Sequence, residues 1–162
     1  MIIIAVSGRQ NRGKTHSTIR FQELLLQELD RNKVNYIKEP YEASGTDIRT
    51  IVKFNDIAVC ICSGGDSKQI IEENFGLARQ NGCNVLISAV RHKWNHIPHE
   101  FYSAMNPDEL LIDYPTAVID NSFSGTCIAA DKLEIIYDLN AKNILCIFQR
   151  ISEKFMKPGT GK

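Results

Sequence analysis

Charge of one sign is what this sequence has least of. Lysine and arginine number 19, aspartate and glutamate 19, and the formal net charge is zero. A protein that grips nucleic acid or an anionic membrane non-specifically carries a basic surplus, so the balance argues against both. Long hydrophobic runs are missing too. The longest, residues 1–6 and 57–62, are strand-sized and far short of the roughly 20 residues of a membrane-spanning helix. The first has no basic segment before it and no small-residue cleavage site after it, so it is not expected to act as a signal peptide. Cysteines are few: Cys60, Cys62, Cys83, Cys127 and Cys146. They are odd in number and scattered, and four lie in apolar segments. This argues against a disulfide framework and for buried free thiols in a cytoplasmic protein. Disorder is excluded as the dominant state, because 43% of the 162 residues are hydrophobic and the net charge is low. One domain over residues 1–156 is expected, followed by a flexible Gly/Pro-containing tail at 157–162.

Residues 2–6 are rich in isoleucine and valine and read as a buried strand. Residues 7–14 form a loop with two glycines. From 15 to about 30 the spacing of Ile19, Leu25, Leu26 and Leu29 predicts an amphipathic helix, ended by the cationic Arg31-Asn32-Lys33. Residues 34–38 read as a second strand, opening a βαβ unit. Two β-rich runs, 47–54 and 57–62, flank Asn55-Asp56 and predict a hairpin. Residues 67–81 read as a helix with Ile70, Ile71, Phe75 and Ala78 inward, and 83–89 as another buried strand. A loop and short helix are expected over 90–107, a strand at 116–120, and an edge hairpin from 126–130 and 133–137. Ile144, Ile147, Phe148, Ile151 and Phe155 predict a last helix. The fold expected is a three-layer α/β domain with a mostly parallel sheet and small β-hairpins.

Gly8-Arg9-Gln10-Asn11-Arg12-Gly13-Lys14-Thr15 fits G-x-x-x-x-G-K-[ST] at every fixed position. It follows a strand and opens a helix, the context this spacing requires. The segment resembles the Walker A motif of the P-loop NTPase superfamily, over eight residues; the rest of the chain identifies no family within it. The resemblance implies a nucleoside triphosphate, ATP or GTP, held with Mg²⁺. Gly8 and Gly13 let the backbone approach a phosphate. The N–H groups of the loop and of the helix start through His16 face it. Arg9, Arg12 and Lys14 supply positive charge, Lys14 reaching the β- and γ-phosphates, and the Thr15 hydroxyl is expected as a Mg²⁺ ligand. Many small-molecule kinases have a further glycine where this chain has Asn11.

The second acid such a site needs usually follows an apolar strand directly. Here Ser63-Gly64-Gly65 intervene before Asp66. Asp66 is the leading candidate to organise Mg²⁺, with the alternative that Asp66 or Ser67 caps the next helix. Arg91 ends a later strand, and it or Lys93 is a candidate for stabilising transferred charge. Lys38-Glu39-Pro40 is similar to the Arg-Glu-Pro of thymidylate-kinase-like enzymes, which makes Glu39 a candidate base. His92, His96 and His99 would share a helix face, a zinc-like spacing, but Pro98 breaks such a helix and no metal is expected there. The reading is Mg²⁺-dependent triphosphate binding with hydrolysis or phosphoryl transfer, Lys14, Asp66 and Arg91 carrying the chemistry. The alternatives are a nucleotide-dependent binding or regulatory module with negligible turnover, and a small metabolite or nucleotide kinase. A homodimer or a protein partner supplying an arginine is a further option.

Overall fold

The computed structural model describes residues 1–9, 13–43, 45–91, 96–116 and 130–156, with side chains for all of these except 130, 131 and 154–156. In chain order the elements are β1 (Ile2–Gly8), α1 (Lys14–Arg31), β2 (Tyr36–Tyr41), β3 (Arg49–Phe54), β4 (Ile57–Cys62), α2 (Lys68–Gln80), β5 (Val85–Arg91), α3 (His99–Ala104), β6 (Leu110–Pro115) and α4 (Ala130–Met156). The strands form one sheet in the order β2-β3-β4-β5-β1-β6.

Helices cover both faces. Along β1, Ile4 and Val6 pack with Phe21, Leu25 and Leu29 of α1 and with Ala141, Ile144 and Phe148 of α4. Ile3 and Ala5 point the other way, into a cluster with Ile71, Phe75 and Ala78 of α2 and Phe101 of α3. A strand buried on both faces has no polar positions to alternate with, which is why 2–6 reads as an unbroken apolar run. The ring of Phe148 meets Phe21 and Phe54 edge-on, with centroids 5.9 and 6.3 Å away.

The three-layer α/β architecture is therefore present, and the sheet is mixed: three of its five pairings are parallel and two are antiparallel. β1 pairs in parallel with β5 and β6, and β4 with β5, whereas β2–β3 and β3–β4 are antiparallel. The cause is local. Asn55-Asp56 is a two-residue turn, with Asn55 at φ 49, and so short a link joins only antiparallel neighbours. The hairpin over 47–54 and 57–62 is thus observed, as β3–β4. The β1-α1-β2 unit is present too, since β2 runs in the direction of β1, but the two strands are not neighbours: β2 lies at the far edge with β3, β4 and β5 between it and β1.

Other differences follow from long-range packing. Residues 133–137 belong to α4, not to an edge hairpin. Tyr137 is in phase with the buried Ala141, Ile144, Phe148 and Ile151, and the helical period over that length outweighs a short β-rich stretch. β6 has no counterpart in the sequence reading. It is an edge strand ending on Pro115, and there a missing N–H costs no ladder bond. Cys60, Cys62 and Cys83 are buried free thiols, but Cys146 is exposed on α4. Residues 117–120 of the strand expected at 116–120, residues 126–129 of the expected edge hairpin, Cys127 and the tail 157–162 lie outside the described residues. No helix among the described residues is long and apolar enough to cross a membrane.

Candidate functional site

The parallel strands β1, β4, β5 and β6 end at one edge of the sheet, so the segments that follow them converge. β1 ends at Gly8, which is in register with Arg91 at the end of β5. A Cβ on Gly8 would lie 2.6 Å from the Thr116 hydroxyl just beyond β6, so a side chain here would have to displace it. Arg9 is exposed, and its carbonyl accepts a 2.8 Å hydrogen bond from Lys14 Nζ. Gln10, Asn11 and Arg12 lie outside the described residues.

Gly13 starts α1 in the left-handed region, at φ 72, with no side chain among the described residues capping the helix and no acid in its first turn. The N–H groups there have no acceptor within the helix, and the dipole adds positive charge. Lys14 is 7% exposed. Burial lowers its pKa; Asp66 and Asp47 oppose that shift, while the Arg91 charge adds to it. Two carboxylates and two cations therefore act on one small volume. His16 is exposed and stacks on Tyr137 of α4, with ring centroids 4.8 Å apart.

Thr15 has partners that sequence reasoning missed. Its hydroxyl lies 3.3 Å from Asp47 Oδ1 and 3.4 Å from the Ser63 carbonyl. The Ser63 hydroxyl donates to the same Asp47 oxygen at 2.9 Å and accepts from the Ile48 N–H. Asp47 reaches this point through the β3–β4 hairpin. Arg49 pairs with Cys62, so the residues before β3 lie beside those after β4. The signal was readable: with Phe54 opposite Ile57, each step back along β3 matches a step forward along β4, and Asp47 falls opposite Gly64.

A cavity of about 210 Å³ lies between these segments, lined by Gly13, Lys14, Thr15, Asp47, Gly64 and Asp66 among others. Asp66 is in the site, and it does not cap α2. Ser67 does, its hydroxyl accepting from Ile70 N–H at 3.3 Å. The glycine pair also has a packing reason. A Cβ on Gly64 would sit 2.8 Å from Asp47 Oδ2, and one on Gly65 would collide with the Ala89 carbonyl. Gly65 O accepts from the Arg91 N–H at 3.1 Å, which ties the β4 end to the β5 end. Arg91 lines a second, larger cavity with Asp66.

Two candidates fall away. Glu39 lies on β2 at the far edge of the sheet, paired with Lys53 at 3.0 Å and accepting from Tyr41; it does not line the cavity. His96 and His99 do not share a helix face, because α3 begins only at His99, after Pro98; His92 lies outside the described residues. Among the described residues no three His, Cys, Asp or Glu side chains cluster as a metal site. A small hard cation that keeps its waters and shares phosphate oxygens needs only one or two carboxylates, and the Thr15, Asp47 and Ser63 oxygens have the right chemistry for it. No family model, curated protein or solved structure matches the chain.

Proposed function

We propose that the chain is a P-loop nucleotide-binding protein that takes a Mg²⁺-bound nucleoside triphosphate, with ATP as the first candidate, and cleaves or transfers its γ-phosphoryl group. One observation carries the reading. A buried lysine, an uncapped helix start and a threonine beside an aspartate surround one cavity, in the order and spacing of the Gly8–Thr15 segment.

Each group has a task that its surroundings explain. The first turn of α1 offers backbone N–H groups to the phosphates. Lys14, held against the Arg9 carbonyl, turns its ammonium onto the β- and γ-phosphates when they arrive. The polyanion offsets the desolvation that lowers its pKa. Thr15 and Asp47 would hold Mg²⁺, which when bound supplies charge neutralisation at the phosphates. Asp66, exposed at the cavity edge, is suited to take the proton of the attacking hydroxyl. Arg91, whose N–H is tied to the Gly65 carbonyl, would balance charge on the transferred group.

Lys14→Ala tests this reading. It should weaken ATP binding by about 10²-fold or more, the scale of deleting one partner of a buried charged contact. The fold should stay intact, since no carboxylate is ion-paired to Lys14 among the described residues. Calorimetric titration with Mg-ATP, alongside urea unfolding, reads both. Wild-type affinity in the variant would reject the site.

A further inference from the structure

A groove of about 610 Å³ runs between α1 and α4, within the range that small-molecule sites occupy. Among the described residues it shares one with the phosphate cavity, His16, which directly follows Thr15. His16 is exposed and lies on Tyr137 with the two rings 14° from parallel. The tyrosine is held against the loop, because its ring fills the space that a Cβ on Gly13 would take. A flat aromatic pair therefore stands where the phosphate cavity meets the groove. Ile19, Ile135 and Leu139 add an apolar wall. Ile135 and Leu139, one turn apart on α4, are 60% and 54% exposed, so α4 leaves apolar surface in water at this place.

The charges disfavour phosphate in the groove itself. Three carboxylates, Glu23, Glu134 and Asp138, line it with only two cations. Both cations are engaged, Arg20 with Glu23 and Asp138 and Lys142 with Asp138, whereas Glu134 is in no ion pair among the described residues. Such a lining suits a neutral, flat group with apolar faces and N–H donors at its rim.

We propose that this groove seats the nucleoside end of the triphosphate, a purine base stacking on the His16–Tyr137 pair and packing against Ile135 and Leu139. The inference rests on the nucleotide site proposed above. It gives the ligand a direction, with the γ-phosphate toward Asp66 and the nucleoside toward His16, since these two residues join the phosphate cavity to different neighbouring spaces. Every base has a face that stacks on an aromatic side chain, and two fused rings cover more of the pair and of the apolar wall than one. Adenine and guanine also carry an amino group, a donor that the acceptor-only Glu134 carboxylate matches. Uracil offers one ring and no amine.

The test titrates the full chain by calorimetry with the Mg²⁺ complexes of ATP, UTP and inorganic tripolyphosphate. Wild-type protein should hold ATP about 10-fold or more tighter than tripolyphosphate, the scale of one base stacked on an aromatic side chain, with UTP clearly weaker than ATP. His16→Ala removes an exposed ring and keeps the backbone N–H. It should lose about 10-fold for ATP and far less for tripolyphosphate. His16→Phe restores a flat ring and should recover the ATP affinity. If ATP binds no tighter than tripolyphosphate or UTP, if His16→Ala weakens ATP and tripolyphosphate alike, or if phenylalanine fails to rescue, the purine seat is overturned and the phosphate site stands. If neither ATP nor tripolyphosphate binds wild-type protein, both readings fail.

Discussion

Two aspartates, 19 positions apart in the chain, face one cavity from different segments, and their surroundings differ. Asp47 is half-buried. Its Oδ1 already accepts from Ser63 and lies beside Thr15, so it is held in one orientation by groups that would be its fellow ligands. Asp66 is exposed and turns to both cavities. Asp47→Asn should raise the Mg²⁺ concentration needed for half-maximal ATP binding by about 10-fold, since a lost carboxylate charge removes most of a weak site's preference for a divalent ion. Asp66→Asn should leave triphosphate binding close to wild type and slow turnover by roughly 10²-fold, the scale of losing a transition-state electrostatic group. Magnesium titrations and single-turnover rates on the two variants separate the roles. The reverse pattern would exchange them. Sequence reasoning found Asp66 because it follows an apolar strand, and missed Asp47 because it precedes one.

At the scale of the element, the start of α1 depends on what lies across from it. Gly13 is in the left-handed region, where a side chain costs roughly 1–2 kcal/mol. A Cβ there would also drive into the Tyr137 ring of α4. Gly45 has a similar φ of 61 with open space around it. Gly45→Ala should therefore cost only the backbone term, while Gly13→Ala should cost clearly more. The excess should disappear when Gly13→Ala is measured in a Tyr137→Ala background, because the clash is then gone. Urea unfolding of the four variants gives the comparison. An excess that persists without the tyrosine would place the strain within α1 itself. The glycine was legible from the motif; that Tyr137 of the last helix packs on it was not.

For the whole molecule, the face of the sheet under α1 and α4 is closed by Phe148. It is 2% exposed and touches aromatic rings from α1 and from β3. Phe148→Ala opens a cavity where three elements meet and should destabilise the protein by about 3–5 kcal/mol. The urea midpoint should fall with little change in its slope, since the same surface is exposed on unfolding. A loss under 1 kcal/mol would mean that α4 contributes little to holding α1 in place. That matters for the site, because α1 presents Lys14 and Thr15 from its first turn while α4 braces its flank through Phe148 and the Tyr137–His16 stack.

What the sequence determined by itself is local. The Gly8–Thr15 spacing, the apolar strands, the Asn55-Asp56 turn and the amphipathic periods of α1, α2 and the end of α4 all depend on neighbours within a few residues, where periodicity and turn chemistry act. Strand order was decided only in three dimensions. Nothing near residues 34–38 says that β2 must cross to the far edge, because that depends on which strands take the places beside β1. Strand order in turn decided the site. The reversed β3 carries Asp47 back to Thr15, the parallel β5 sets Arg91 opposite Gly8, and Gly65 after β4 is required by a β5 carbonyl. Such contacts join residues tens of positions apart, and they arise from packing two helical layers against one sheet, not from any local preference of the chain.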